Sequence, residues 1–120
     1  MTNVSSKSFD NPDEVRTPDK TAVHVVQLTD DVQAARLTLQ PGWSWAECVK
    51  PVAGTDHCQA RHVGVVLSGR MHVTHTDGTE AEIGPGEAYF IAPGHDAHVV
   101  GDEALVGYEF DAKTAQTYAT

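Results

Sequence analysis

Seven histidines, two cysteines and seventeen acids stand in a chain of 120 residues. Imidazole, thiolate and carboxylate groups ligate transition metals, carry protons near neutrality and attack electrophilic carbon. Their spacing is therefore the first thing to read. Cys58 and His62 are four residues apart, with Ala60 between them at the same parity. On a strand, Cys58 and His62 point to one face. His57 has the opposite parity and joins them only if a bulge or the loop edge resets the alternation. His95 and His98 fall in HDAH, His72 and His75 in HVTH, and His24 in TAVHVVQL. Glu47 shares parity with Trp43 and Trp45. If that face lines a cavity, Glu47 is a carboxylate ligand or a general base whose pKa the apolar walls raise; otherwise it is a solvated edge acid. Three imidazoles with one position left open suit Zn, Fe, Mn, Ni or Cu, and a thiolate among them tilts the choice toward Zn or a softer metal.

The elements that must hold these groups have a period of two. TAVHVVQL (21–28) is rich in β-branched residues. In DVQAARLTLQ (31–40), Ala35, Leu37 and Leu39 share a face opposite Arg36 and Thr38. Pro41-Gly42 turns the chain, and WSWAEC (43–48) alternates again. VKPVAGTD reads as a loop and QARHVGVVL (59–67) as a strand. RMHVTHT (70–76) and TEAEI (79–83) flank Asp77-Gly78, a strong hairpin signal. EAYFI (87–91), HVV (98–100) and EALVGYEF (103–110) read as strands, with APGHDA as a loop. About nine short strands and no convincing helix predict an all-β sandwich or barrel. Residues 1–20 are polar, with Pro12 and Pro18 as breakers, and read as an arm that orders only if something holds it.

HVGVVLSGRMHV, followed by GPGEAYFIAPGHDAHVV, resembles the cupin superfamily of small jelly-roll barrels, over about residues 54–102. The family's first motif runs from a glycine through His-X-His and a glutamate to a second glycine. With Gly69 as that last glycine, His62 stands at the glutamate position. The two histidine positions fall on Asp56 and Cys58 with the short spacer, or on Thr55 and His57 with the long one. In the second motif Gly86 and Gly94 match, Ala92 replaces a proline, and the histidine position falls on Ala97, one residue before His98. The resemblance implies a double-stranded β-helix, or jelly-roll barrel, over residues 21–112, with residues 113–120 as a tail. It also implies that the strand opened by His98 lies beside 59–67. The metal set that follows is His57, His62 and His98, with Cys58 or Glu47 completing it. Glu47, Cys58 and His95 are then the candidates for moving protons.

Each candidate has a plain alternative. His57 is a loop residue, His62 a hydrogen-bonded core histidine, His98 a surface one, and His95 a loop residue satisfied by turn backbone. Cys58 is a small buried hydrophobe. His72 is solvated, His24 is structural, His75 carries no chemistry, and Cys48 packs. Trp43, Trp45, Tyr89, Phe90, Tyr108 and Phe110 line a pocket or fill a core.

Two functions follow. One is an enzyme that uses a divalent transition metal (Zn, Fe, Mn, Ni or Cu) on a small organic molecule inside the barrel, by oxygenation, isomerisation, decarboxylation or lyase chemistry. The other is a non-catalytic small-molecule-binding or regulatory module without metal. A formal charge of -9 argues against nucleic acid and membrane surfaces as partners. The polar N-terminus lacks the apolar stretch of a secretory signal, which implies a cytoplasmic address. The family resemblance implies a homodimer, with exchange of the 9–28 arm as one route.

Overall fold

The structure, a computed structural model, describes residues 3–110. The expected tail at 113–120, and residues 111–112 of the expected barrel span, lie outside the described residues. The strands are β1 (Glu14–Arg16), β2 (Thr21–Thr29), β3 (Val32–Leu39), β4 (His62–Ser68), β5 (Arg70–His75), β6 (Glu80–Ile83), β7 (Ala88–Ile91), β8 (His95–Val100) and β9 (Leu105–Glu109). Two short helices, α1 (Trp45–Cys48) and α2 (Lys50–Ala53), interrupt them. One sheet runs β1-β2-β3-β9-β4-β7 and the other β6-β5-β8, all pairs antiparallel.

The core is what alternation predicts. Ala35, Leu37 and Leu39 of β3 are buried, as are Val23 and Val25 of β2, Met71 and Val73 of β5, and Ala97 and Val99 of β8. These inward rows meet between the two sheets. Asp77-Gly78 forms the expected hairpin tip: the His75 N–H donates to Thr79 O at 2.8 Å, and Gly78 sits at φ 93°. The N-terminal arm is held by its own chain. Strand β1 pairs with β2, the Asp13 carboxylate accepts the Gln27 N–H at 2.7 Å, and Phe9 stacks on Tyr108 with ring centroids 5.1 Å apart.

The alternating segment WSWAEC is not a strand. Only Ser44 makes a sheet-like bridge, to His98, and then α1 begins. Ser44 caps that helix, its hydroxyl accepting the Glu47 N–H at 3.2 Å. Pro51 suits the first turn of α2, and Gly54 at φ 77° ends it. A four-residue helix is too short to show a period, so alternation misleads there. The turn places Trp43 and Trp45 inside and Glu47 outside.

The aromatic residues also divide. Tyr89 is buried, whereas Phe90 and Phe110 lie on the outer face and are exposed, with Tyr108 half-buried beside them. Among the described residues, no helix is long and apolar enough to cross a membrane.

Candidate metal centre

Three inward side chains from two separate segments converge between the sheets. Cys58, His62 and His95 are each 3% exposed or less. Their ligand atoms all lie within 4.8 Å of one another. Backbone pairing sets this up. Cys58 forms a β-bridge with His95: its N–H donates to His95 O at 2.8 Å, and its C=O accepts the Gly94 N–H at 2.7 Å. His62 opens β4 two alternations beyond Cys58, so both point inward. His95 opens β8 on the same face as Ala97 and Val99.

Each imidazole is oriented from outside the cluster. His62 Nδ1 lies 2.7 Å from Glu109 Oε1, and His95 Nδ1 lies 2.8 Å from Ala92 O. With both Nδ1–H groups donated outward, Nε2 of each ring is the nitrogen left to face the cluster. His62 Nε2 is 3.5 Å from Cys58 Sγ, and the two rings meet edge-on with centroids 5.0 Å apart. Tetrahedral Zn–S and Zn–N bonds imply an S···N edge of about 3.5 Å, so this pair already has the spacing such an ion needs.

Glu109 is held in turn by Tyr89, whose hydroxyl donates to Oε2 at 2.6 Å. Register explains the reach. Gly64 of β4 pairs with Glu109 of β9 on one side and Tyr89 of β7 on the other. Glycine leaves the position between them empty, and the tyrosine extends across it. A Cβ built on Gly64 would come 2.8 Å from the Tyr89 hydroxyl, 2.9 Å from Glu109 Cγ and 2.4 Å from Tyr108 O. Gly64→Ala is therefore expected to cost roughly 1–3 kcal/mol of stability, the range for overpacking. A denaturation curve checks this, and an unchanged midpoint would refute the account of this row.

Charge follows geometry. Burial on its own raises a thiol's pKa, yet Cys58 is pulled from 9.0 down to about 6, because hydrogen bonds to His62 and His95 outweigh desolvation. Burial on its own lowers an imidazole's pKa, yet His62 rises from 6.5 to about 10, because the Glu109 carboxylate and the Cys58 sulfur outweigh desolvation. Near neutrality the metal-free site thus holds a thiolate, an imidazolium and a carboxylate in a row. The stability that Cys58 contributes is complete above 9.0 and is lost as pH falls through about 6. The stability that His62 contributes is complete below 6.5 and is lost as pH rises through about 10. Between 6.5 and 9.0 the folded and unfolded chains hold the same one proton on this pair, so the two slopes cancel there. Metal-free protein is expected to show a flat unfolding temperature across that window, falling on both sides, and the Cys58→Ala variant should lose the acid limb.

A small cavity adjoins the cluster. It holds about 20 Å³, lined by apolar Leu37, Leu39, Met71, Ile91 and Ala97, by the rings of Trp43, Trp45, His62 and His95, and by Glu109. That is room for roughly one or two water-sized bodies. The Trp43 N–H donates to Thr21 Oγ1 at 2.9 Å. The Trp45 N–H is buried and has no acceptor among the described residues.

The other residues singled out from sequence lie elsewhere. His57 is half-buried in the loop before Cys58, and His98 is exposed on the outer face of β8, its ring 5.5 Å from that of His72. Glu47 is exposed on α1. The structure brings none of these three to His62. The residues beside His62 are instead His95 and Cys58, which the sequence offers as proton carriers. His75 is fixed by the hairpin, with Nδ1 accepting the Asp77 N–H at 3.0 Å and Nε2 2.8 Å from Pro93 O. Cys48 is buried away from the cluster and is a free thiol, as is Cys58. Glu109 is the residue of this cluster that sequence reasoning misses. Its signal is an acid at the parity of Leu105 and Gly107, on the buried side of β9.

No protein-family profile matches the chain, and no curated protein matches it. Solved structures do. A protein of unknown function from Rhizobium leguminosarum bv. viciae superposes with a TM-score of 0.65 at 21% identity, covering 92% of this chain and 98% of that one. The polyketide cyclase RemF from Streptomyces resistomycificus gives a TM-score of 0.61 at 19% identity over 89% of this chain and 77% of that one. KdgF from a Halomonas species gives 0.60 at 18% identity over 91% and 93%. A double-stranded β-helix protein from Klebsiella pneumoniae matches at a TM-score of 0.58 and 19% identity, over 90% and 84%. Two facing antiparallel sheets, a glycine-turned hairpin and these superpositions agree: the chain has the double-stranded β-helix fold.

Proposed function

We propose that this chain is a metal-dependent cupin in which Cys58, His62 and His95 hold one divalent transition-metal ion, and that it acts on a small organic molecule at the barrel. The observation that carries the reading is the convergence of three buried donor atoms within 4.8 Å, with both imidazoles turned by outside partners. One thiolate and two neutral imidazoles suit zinc first, then softer first-row ions. Such an ion supplies Lewis acidity to a bound oxygen donor. Glu109 keeps the His62 proton on Nδ1, Tyr89 keeps Glu109 in place, and Ala92 O does for His95 what Glu109 does for His62. Apolar Leu37, Leu39, Met71 and Ile91 exclude bulk water.

A cavity of about 20 Å³ does not admit a whole organic molecule. A second recess of about 260 Å³ opens beside it, between the β5–β6 hairpin and β7, over Val73, Ile83, Phe90 and Ile91. Ile91 belongs to both walls and pairs with His62 across β4 and β7. We place the body of the substrate in that recess, with its reacting atom directed past Ile91. A polyketide cyclase sharing the fold supports small-molecule chemistry on this scaffold.

The small size of the inner cavity favours a second reading: a metal-free, non-catalytic module in which Cys58, His62 and Glu109 form an internal charge network. Metal analysis of protein made without a histidine tag separates the two. One ion per chain that is absent from His62→Ala supports the first reading, and a well-folded, metal-free wild type leaves the second.

A further inference from the structure

Trp45 begins α1, is 2% exposed, and shares the wall of the inner cavity with His62 and His95. Among the described residues its indole N–H has no hydrogen-bond partner. A buried N–H without an acceptor is rare and unfavourable in a folded protein. The neighbouring indole shows the usual arrangement: Trp43, on the same wall, donates to the Thr21 hydroxyl at 2.9 Å. Around Trp45 the cavity is otherwise lined by apolar Leu37, Leu39, Met71, Ile91 and Ala97, and by Glu109, whose two carboxylate oxygens are engaged by His62 and Tyr89. The missing acceptor must be brought by whatever fills the cavity. Volume limits that guest to very few heavy atoms.

We propose that the cavity between Trp45, His62 and His95 is a binding position for a small monoanion or terminal oxygen or nitrogen donor of one to three heavy atoms, and that the Trp45 Nε1–H donates a hydrogen bond to it. The inference rests on the metal reading above, because a divalent ion held by Cys58, His62 and His95 would offer an open coordination position to such a donor. With one thiolate and one nearby carboxylate, the loaded site is close to neutral. A single negative charge is therefore admitted, and a doubly charged anion is disfavoured. Trp45 becomes the residue that selects hydrogen-bond acceptors at the open position and orients them. The same N–H would receive the leading atom of a larger substrate reaching in past Ile91.

Azide is the probe, added to the full chain loaded with cobalt or zinc. In the cobalt form, the visible spectrum reports azide affinity for wild type, Trp45→Phe and Glu47→Gln. Loss of a hydrogen bond to a charged acceptor predicts azide binding at least about tenfold weaker in Trp45→Phe, with cobalt still bound. Glu47→Gln changes an exposed side chain on the same helix, outside the cavity wall, so azide affinity there should change less than about twofold. In the zinc form, ¹⁵N-labelled wild type gives two indole N–H signals, one per tryptophan. The Trp45 signal should move downfield and exchange more slowly at saturating azide, while the Trp43 signal stays. This second measurement stands even if Trp45→Phe does not fold. Unchanged azide affinity in a cobalt-loaded Trp45→Phe, a stationary Trp45 signal, or no azide binding by metal-loaded wild type overturns the proposal while leaving the metal site standing. Failure of wild type to bind cobalt or zinc at all overturns the metal reading and this one with it.

Discussion

Tag-free protein equilibrated with zinc should carry one ion per chain, and Cys58→Ser, His62→Ala and His95→Ala should each weaken its binding by at least about 100-fold. Outer partners of a ligand are typically worth 10–100-fold in metal affinity, so losing a ligand itself sits at or beyond that range. Zinc is expected because the donor set is one sulfur and two nitrogens, and because the S···N spacing of 3.5 Å already suits a tetrahedral ion. Binding should release close to one proton near pH 8, since the ion must displace the proton that His62 Nε2 shares with Cys58. Two further variants make the result specific. His57→Ala and His98→Ala should keep full stoichiometry, because His57 stands in a loop and His98 faces outward. Loss of zinc in either of those, or its retention in His95→Ala, would show that the cluster seen here is not the one that binds. Elemental analysis and a competition titration read both.

Glu109→Ala should be the most destabilising single change at the site in metal-free protein. Its side chain is 3% exposed and lies 2.7 Å from His62 and 2.6 Å from the Tyr89 hydroxyl. Removing one member of a buried charge pair leaves the other without compensation and costs about 3–5 kcal/mol. In a chain of this size that is a fall in unfolding temperature of roughly 10–25 °C. Tyr89→Phe removes one hydrogen bond to a charged group and should cost only about 1.5–3 kcal/mol. The two effects should not add, because both act through one carboxylate, and a double-mutant cycle measures the shortfall. Glu109→Ala should also weaken zinc by about 10–100-fold, since His62 loses the partner that fixes its tautomer. If instead it unfolds within about 1 kcal/mol of wild type, the His62–Glu109 contact is not the structural anchor described above. Thermal denaturation with and without zinc separates the stability effect from the affinity effect.

Parity made part of this site legible beforehand. Cys58 and His62 sit on one face of an alternating segment, and both are buried in the cluster. His95 was legible too, but only if the strand is begun early: His95, Ala97 and Val99 share a face, and a one-residue change of parity puts His98 outside. Read as a loop, APGHDA hides this. Its pairing with Cys58 and with β5 is what makes His95 the first residue of β8. Glu47 shows the opposite error. Alternation over six residues suggests a shared face with the tryptophans, and one serine cap turns the segment into a helical turn that carries Glu47 away.

Alternation, turn chemistry and the Asp77-Gly78 tip determine the all-β class, the hairpin and most of the buried rows, because each depends on neighbours within a few residues. Which histidine faces His62, and that Glu109 reaches it over Gly64 with Tyr89 behind, depend on the register of β9, β4 and β7 and on a bridge between Cys58 and His95. The His62–Glu109 contact they produce joins residues 47 positions apart. No local pattern encodes such a distance. It is settled only when the sheets close and the inward rows pack against one another.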